Sequence, residues 1–306
     1  MGIVPYDRLR QSNNHKEEIT EMTQEYIVLS RTNAVARNGS PYITLKVANL
    51  EETFQIMVWD VSATLPPHVG QIVKFTNITD QQGRKSAKFN EMICGEMPLD
   101  SHPLYHVLPR PIMREQWNDS ISKLLSFCTD KSLTSIISKY AEILFDPYSK
   151  YPAATSVHHA FKGGLLNHTY QMLHLLEGMY PVLPYKVKIE RCILAVLFHD
   201  YGKVYEYTKE GEATEDFYLL GHVYISAHKL HNELENAGID AKEIKRIIHC
   251  VLAHHGQKDF GSPVVPCSQE ALIVNFIDNI SAKTASIDEN GNMEKVFSLD
   301  THIVKD

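Results

Sequence analysis

Residues 189–203 read IERCILAVLFHDYGK, an apolar run that ends in a histidine and an aspartate. The apolar stripe through Ile193 and Val196 recurs at helical spacing, and Asp200 continues it. His199 continues the neighbouring apolar positions, so both polar side chains are predicted to face inward. Burying an imidazole and a carboxylate is costly unless something compensates them. This segment therefore predicts a buried helix that ends in a binding site.

Five further candidate ligands lie in or beside apolar helical segments of the second half of the chain: His168, His222, His254, His255 and Asp278. His168 shares a helical stripe with Met172 and Leu176, which predicts that it also faces inward. Together with His199 and Asp200 they make seven donors, more than one ion normally takes from a protein. We therefore interpret the set as the ligands of two metal ions.

Each of these residues has a simpler interpretation when it is taken alone. A single inward histidine such as His168 is more often a hydrogen-bonded core residue. His222 follows Gly221 at a predicted helix start, where the alternative role is a partly exposed cap. The His254-His255 pair could contact the dipole at the end of its helix. The ordered combination, rather than any one residue, favours metal binding.

Composition limits the classes of protein to consider. The chain has 306 residues, enough for two domains, with 43% hydrophobic residues, 22% charged residues and a net charge of −7. No apolar run approaches the roughly 20 residues that cross a bilayer, and the first residues do not resemble a secretory signal. The five cysteines are odd in number and form no CxxC motif, which is typical of a reducing compartment. We expect a cytoplasmic protein without a membrane partner.

The apolar period changes once along the chain. Between about residues 25 and 96 the period is two, with turn signals between the runs, which predicts a small antiparallel barrel of the OB-fold type. Beyond a proline-rich connector at 98–111 the period is 3.6. Helices are predicted at about 112–127, 131–145, 164–179, 186–200, 219–236, 241–254 and 268–286. The sequence thus predicts a multidomain α and β protein: a flexible segment at 1–20, a barrel at 21–97 and an all-α domain at 112–306.

The order H…HD…H…HH…D resembles that of the HD-domain superfamily of metal-dependent phosphohydrolases, and HDYGK at 199–203 resembles its HD-x-GK segment. Four other segments resemble the YhaM family of bacterial 3′–5′ exoribonucleases, which join an N-terminal OB-fold to a C-terminal HD domain. They are HHAFKGGLLNHT (158–169), GHVYIS (221–226), LAHHG (252–256) and IDNISAK (277–283). One departure is Ser281, where a second acid is expected three residues after Asp278.

The resemblance implies a division of the ligands between the two ions. His168, His199 and Asp278 would bind one ion, and His222, His254 and His255 the other. Asp200 is the natural bridge, because one carboxylate has two oxygens to share. Mixed imidazole and carboxylate ligands suit Mn²⁺ (with Co²⁺ or Fe²⁺ as alternatives) better than Mg²⁺.

Two further groups are candidates for substrate contact in the helical domain. Lys203 lies one helical turn after Asp200, where its cation could bind a phosphate oxygen or steady the leaving group; the alternative is a solvated lysine. His158 and His159 could contact substrate or support the ligands, and structural roles are equally compatible with the sequence.

In the barrel, aromatic and basic side chains are candidates for stacking bases and following phosphates. They are Tyr42, Lys46, Trp59, Lys74, Arg84 and Lys85. A nucleic-acid module joined to a phosphodiesterase site favours a metal-dependent 3′–5′ exonuclease acting on single-stranded RNA or DNA, and a homo-oligomer is compatible with the sequence. The alternatives are an HD phosphohydrolase of free nucleotides or cyclic dinucleotides, and a non-catalytic nucleic-acid-binding protein with structural metals.

Overall fold

The structure is a computed structural model of the chain. It describes residues 24–61, 67, 70–96, 102–107, 112–154, 159, 161–183, 187–209, 213–289, 295–296 and 301–302. The predicted flexible segment 1–20, much of the predicted connector 98–111 and the candidate His158 lie outside these residues.

Seven strands of the described N-terminal region form one curled sheet in the order β5-β6-β3-β2-β1-β4-β7. The strands are β1 (Glu25–Val35), β2 (Pro41–Ala48), β3 (Thr53–Trp59), β4 (Ile72–Phe75), β5 (Thr79–Gln81), β6 (Arg84–Lys88) and β7 (Met92–Cys94). Alternate residues along β2 and β3 are fully buried, among them Ile43, Leu45 and Ile56. The period of two therefore marks the core face, as predicted.

The predicted OB-fold type is confirmed, although the described sheet is a curled half-barrel and differs from the predicted antiparallel barrel in one strand direction. All pairs are antiparallel except β3 with β6, which run parallel. After β3 the chain crosses to the far side of β1 and forms β4 there. It returns to β3 through the β5–β6 hairpin, whose second strand then runs in the same direction as β3. Periodicity shows which face of a strand is buried but not which strand lies beside it.

The rest of the described chain is helical. The helices are α1 (Arg114–Leu125), α2 (Lys131–Tyr148), α3 (Gly164–Met179), α4 (Ile189–Phe198), α5 (Lys203–Glu206), α6 (Glu215–Leu219), α7 (His222–Asn236), α8 (Ala241–Leu252) and α9 (Gln269–Glu289). The seven predicted helices correspond to α1–α4 and α7–α9. The short helices α5 and α6, and a two-residue strand pair, Lys295–Val296 with Thr301–His302, were not predicted.

One hydrophobic core joins α1–α4 and α7–α9, and α4 lies at its centre. Every residue from Cys192 to Phe198 is at most 1% exposed, as expected of a helix that is apolar almost all round. Trp117 of α1 is also fully buried, and its Nε1 donates a hydrogen bond of 2.8 Å to Ala141 O. Among the described helices, none is both long and apolar enough to cross a membrane.

Candidate metal centre

The polar residues at the ends of α4 and α8 and the inward faces of α3 and α9 converge on one interior point. His199 and Asp200 directly follow α4, and His254 and His255 follow α8. His222 is the first residue of α7, which passes very close to the turn after Asp200. A Cβ built on Gly202 would collide with His222 O, so only glycine permits this approach.

His168, His199 and Asp278 form the first group of possible metal ligands, with ligand atoms that all lie within 4.8 Å of one another. His168 Nε2 is 3.1 Å from His199 Nε2 and 3.2 Å from Asp278 Oδ1. Such separations suit neighbouring ligands of one ion with bonds of about 2.1 Å.

The second group of possible metal ligands consists of His222, His254 and His255, again within 4.8 Å of one another. His222 Nε2 lies 3.4 Å from His255 Nε2. The sequence alone made His222 the weakest candidate, whereas the structure brings its ring into this group.

Asp200 lies between the two groups. Its Oδ2 is 3.3 Å from His199 Nε2 and 3.8 Å from His168 Nε2. Its Oδ1 is 3.5 Å from His222 Nε2 and 3.9 Å from His254 Nε2. Each carboxylate oxygen therefore faces one group, which is the geometry that a shared ligand requires.

The donor atoms fit bound cations. Three buried polar atoms have no hydrogen-bond partner among the described residues: Asp200 Oδ1, His254 Nε2 and His255 Nδ1. Leaving buried polar atoms without a partner is costly. Two of them, Asp200 Oδ1 and His254 Nε2, lie 3.9 Å apart at the candidate metal centre. Metal binding is the compensation that agrees with the donor set, because neutral imidazole and carboxylate are the forms that bind divalent ions.

The electrostatic environment favours neutral histidines and ionised carboxylates for most of the site. Burial lowers the pKa of His255 to about 4, with the neighbouring His222 adding to the effect. Burial and His255 also hold the pKa of His254 well below its usual value. Burial raises the pKa of Asp200, but Lys203 and His199 outweigh it and keep the carboxyl ionised.

The pKa of His199 indicates that a metal ion could take the place of a proton in the first group. Burial lowers its pKa, but the charge of Asp200 outweighs burial and raises the pKa above the usual histidine value. Burial similarly raises the pKa of Asp278, and His168 outweighs it and lowers the pKa well below the usual range. The first group thus attracts positive charge, which a metal ion can supply in place of a proton.

Hydrogen bonds on the far side of two rings aim their Nε2 atoms at the centre. His199 Nδ1 lies 2.8 Å from Val196 O, and His254 Nδ1 lies 2.6 Å from Val251 O. A carbonyl only accepts hydrogen bonds, so each Nδ1 carries the proton and each Nε2 keeps its lone pair for a metal.

Two supporting residues were not singled out by the sequence pattern. The buried carboxylate of Glu206 accepts a hydrogen bond from the backbone N–H of His222 and lies 3.1 Å from His222 Nδ1. Gln171 reaches the site through Ser281: His168 Nδ1 is 2.9 Å from Ser281 Oγ, which donates to Gln171 Oε1 at 2.7 Å. A hydroxyl thus supports His168 at the position where a second acid was expected.

Replacing Ser281 with alanine is expected to weaken Mn²⁺ binding by about 10- to 100-fold, because His168 Nδ1–H would lose its buried acceptor. Calorimetric titration of the metal-free protein with Mn²⁺ measures this effect. Ser138→Ala, at an exposed helical serine whose Oγ donates to Thr134 O, is the matched control. Unchanged affinity in Ser281→Ala would show that His168 needs no such support.

Lys203 and His159 also lie at the site. Lys203 is 9% exposed, and its Nζ is 2.7 Å from Asp200 Oδ2, so it is not a solvated lysine. His159 is 2% exposed, has a φ of 50°, and its ring centre is 5.3 Å from that of His168. His159 therefore lies beside the candidate ligand His168.

The candidate nucleic-acid residues fall into separate places on the sheet. Tyr42 and Trp59 are cross-strand partners on the outward face, with ring centres 4.7 Å apart. Lys46 lies on the same face of β2, four residues after Tyr42.

The other basic candidates do not join that aromatic pair. Lys74 is paired with Glu25 at 2.8 Å on the far side of β1, and Lys85 lies over the Phe54 ring and 3.6 Å from Asp80. Arg84 is exposed at the β5–β6 turn. Instead, Lys88 pairs with Trp59 across β3 and β6, which places a cation beside the aromatic pair.

Comparison with known proteins agrees with this architecture. The HD domain family model matches residues 165–283. A 3′–5′ exoribonuclease YhaM of Bacillus velezensis is 30% identical, over 92% of this chain and 94% of its own length. That of Geobacillus sp. (strain WCH70) is 30% identical, over 91% and 87%, and that of Bacillus subtilis (strain 168) is 28% identical, over 92% and 94%.

No solved structure matches this chain. The similarity to the relatives extends through the half-barrel and the helical region alike, and it includes the segment that carries the two ligand groups. The chain belongs to the YhaM family of 3′–5′ exoribonucleases.

Proposed function

We propose that this protein is a metal-dependent 3′–5′ exonuclease that removes nucleotides from the 3′ end of single-stranded RNA or DNA. The observation that carries the proposal is the position of Asp200 between two groups of possible metal ligands. Nearly full-length relatives named as 3′–5′ exoribonucleases support the same activity.

Two divalent ions are proposed as cofactors, with Asp200 shared between them and Mn²⁺ favoured by the mixed ligands. Bound there, the ions would supply positive charge to the scissile phosphate and lower the pKa of an attacking water. The protein contributes donors on rigid helix ends, which would hold the ions in fixed positions beside the scissile phosphate.

Lys203 is proposed as the residue that assists the leaving oxygen. Its ammonium neutralises Asp200 Oδ2 at 2.7 Å and also lines the open side of the site. When substrate phosphate enters, the same cation can donate a hydrogen bond to a phosphate oxygen or to the departing 3′ oxygen.

The sheet is proposed to bind the strand upstream of the cleaved bond. The paired Tyr42 and Trp59 rings form an outward platform for bases, with Lys88 beside it and Lys46 four residues further along β2 for phosphates. Lys74 and Lys85 contribute less, since carboxylates already neutralise them. The five cysteines are free thiols, which supports the proposed cytoplasmic location.

Replacing Trp59 with alanine is expected to weaken binding of single-stranded RNA by about 5- to 150-fold, the usual range for one lost stacking platform. Fluorescence anisotropy with a labelled oligonucleotide in chelator, where no turnover occurs, measures the affinity. Trp59→Phe, which keeps an aromatic face, is the control and should retain most of it. Equal affinity of the unmodified protein, Trp59→Ala and Trp59→Phe would show that the Tyr42–Trp59 platform does not bind the strand.

The proposed activity is tested with 5′-labelled single-stranded RNA, single-stranded DNA and duplex RNA, and with free nucleotides and cyclic dinucleotides, each with Mn²⁺ and with excess chelator. A ladder that shortens from the 3′ end and disappears with chelator supports the exonuclease. Hydrolysis of free or cyclic nucleotides alone would instead identify a nucleotide phosphohydrolase. Binding of RNA without turnover would identify a non-catalytic binding protein.

A further inference from the structure

A pocket of about 240 Å³ opens directly above the first ligand group and Lys203. Its floor includes His168, Asp200 and Asp278, and its rim includes Phe260 and Lys283. The volume is below the roughly 300–1,000 Å³ of clefts that enclose whole ligands. The pocket can therefore take part of one nucleotide, and the rim must hold the remainder.

Phe260 is an exposed aromatic ring on that rim. Its side chain is 63% exposed, although it lies only five residues after His255. An apolar ring facing water beside a polar site has no packing role of its own, and a flat aromatic face is what nucleobases stack on.

The backbone around Phe260 is held in one conformation. The residue ends a single 3-10 turn, Lys258–Phe260, and its N–H donates to Gln257 O at 3.1 Å. Gly261 follows in the left-handed region with a φ of 86°, and the buried Ser262 donates from Oγ to Leu252 O at 3.0 Å. The ring is thus displayed by an anchored turn rather than by a free loop.

Lys283 also lines the pocket, five residues after Asp278 on α9. Its side chain is exposed, and no carboxylate among the described residues pairs with it. Ala282 beside it is small, which leaves the space between α9 and the ligand group open. An exposed cation at the mouth of a phosphodiesterase site attracts a second phosphate.

We propose that Phe260 and Lys283 form the subsite for the last nucleotide of the strand, which rests on the exonuclease function proposed above. The terminal base stacks on the Phe260 ring while its phosphate lies over Asp200 and Lys203. Lys283 binds the next phosphate along the backbone. Because stacking does not depend on base identity, this subsite accepts all four nucleotides but requires a base.

The test compares two RNA oligonucleotides, one with an ordinary 3′-terminal nucleotide and one whose terminal residue lacks its base. We expect the unmodified protein to prefer the ordinary end in kcat/KM by roughly 5- to 150-fold. Phe260→Ala should lose this preference through a raised KM for the ordinary end, and Phe260→Tyr should keep it. Lys283→Gln should raise KM for both ends.

Phe276→Ala is the matched control, because this phenylalanine is 54% exposed on α9 but does not line the pocket. It should behave as the unmodified protein. If Phe260→Ala shortens RNA with the same preference for the ordinary end as the unmodified protein, the proposed subsite is wrong. The exonuclease function would still stand. A larger penalty for a missing penultimate base than for a missing terminal base would also overturn it.

Failure of the exonuclease function is distinguished by a binding measurement. If the protein does not shorten RNA, the proposed function fails, and the affinities for adenosine 5′-monophosphate and ribose 5-phosphate then decide the subsite. Tighter binding of the base-bearing compound that is lost in Phe260→Ala supports the subsite. Equal affinity for the two compounds overturns it.

Discussion

Asp200→Asn is expected to lower the rate of 3′-end shortening by about three orders of magnitude or more. The substitution keeps the size of the side chain but removes its negative charge. That charge lies between the two ligand groups, with Oδ2 facing the first and Oδ1 the second. Metal ions contribute several kcal/mol of charge stabilisation in such reactions, and about 4 kcal/mol corresponds to a thousand-fold in rate. The stoichiometry of bound Mn²⁺ should fall below that of the unmodified protein.

Single-turnover hydrolysis of 5′-labelled RNA measures the rate, and elemental analysis after dialysis measures the bound metal. Asp119→Asn, an exposed aspartate on α1, is the matched control and should keep full activity. Since the substitution at Asp200 also changes the charge around Lys203, thermal unfolding in chelator is needed to show that the variant is folded. An Asp200→Asn protein that retains full metal content and rate would contradict the shared-ligand role.

Trp117→Ala is expected to lower the free energy of unfolding by about 3–5 kcal/mol, the usual cost of removing a large buried aromatic side chain. Trp117 is fully buried in the core that also contains α4 and α9. Its loss would leave a cavity and would also leave Ala141 O without its side-chain donor. Urea unfolding followed by far-UV circular dichroism, which reports mainly the helices, measures the change.

This substitution also tests the proposed start of the helical domain near residue 112. The HD domain match begins at residue 165, yet α1 and α2 contribute to the same core as the matched helices. Ile143→Ala, at a position 49% exposed on α2, is the matched control and should change stability little. An unchanged unfolding midpoint in Trp117→Ala would place α1 outside the cooperative unit.

Periodicity predicted the long helices well and the two short helices not at all. The apolar pattern of α4 extends over almost three turns, so it stands out in the sequence and the helix is buried as expected. The helices α5 and α6 have four and five residues, which is little more than one turn and too short to show a period. Glu206 belongs to α5, which is why its contact with His222 could not be anticipated.

Alternation along β2 and β3 is compatible with outward positions of Tyr42 and Trp59, but it does not show their neighbours. The register that pairs the two rings, and the parallel strand that brings Lys88 beside them, depend on the order of strands in the sheet. The charges of Lys74 and Lys85 are engaged by Glu25 and Asp80, contacts that no local pattern indicates.

Local pattern predicted a strand-rich region followed by helices and singled out seven candidate ligands, because these depend on residue type and on the face of a single element. The family followed from the resemblance of several motifs in their order along the chain. The packing of separate helices decided the rest. It aims the two oxygens of Asp200 at different histidine groups, supports His168 through Ser281, and places Phe260 above the site. Periodicity determines the direction of a side chain from its own helix, whereas distances between helices are set by how their buried faces fit together.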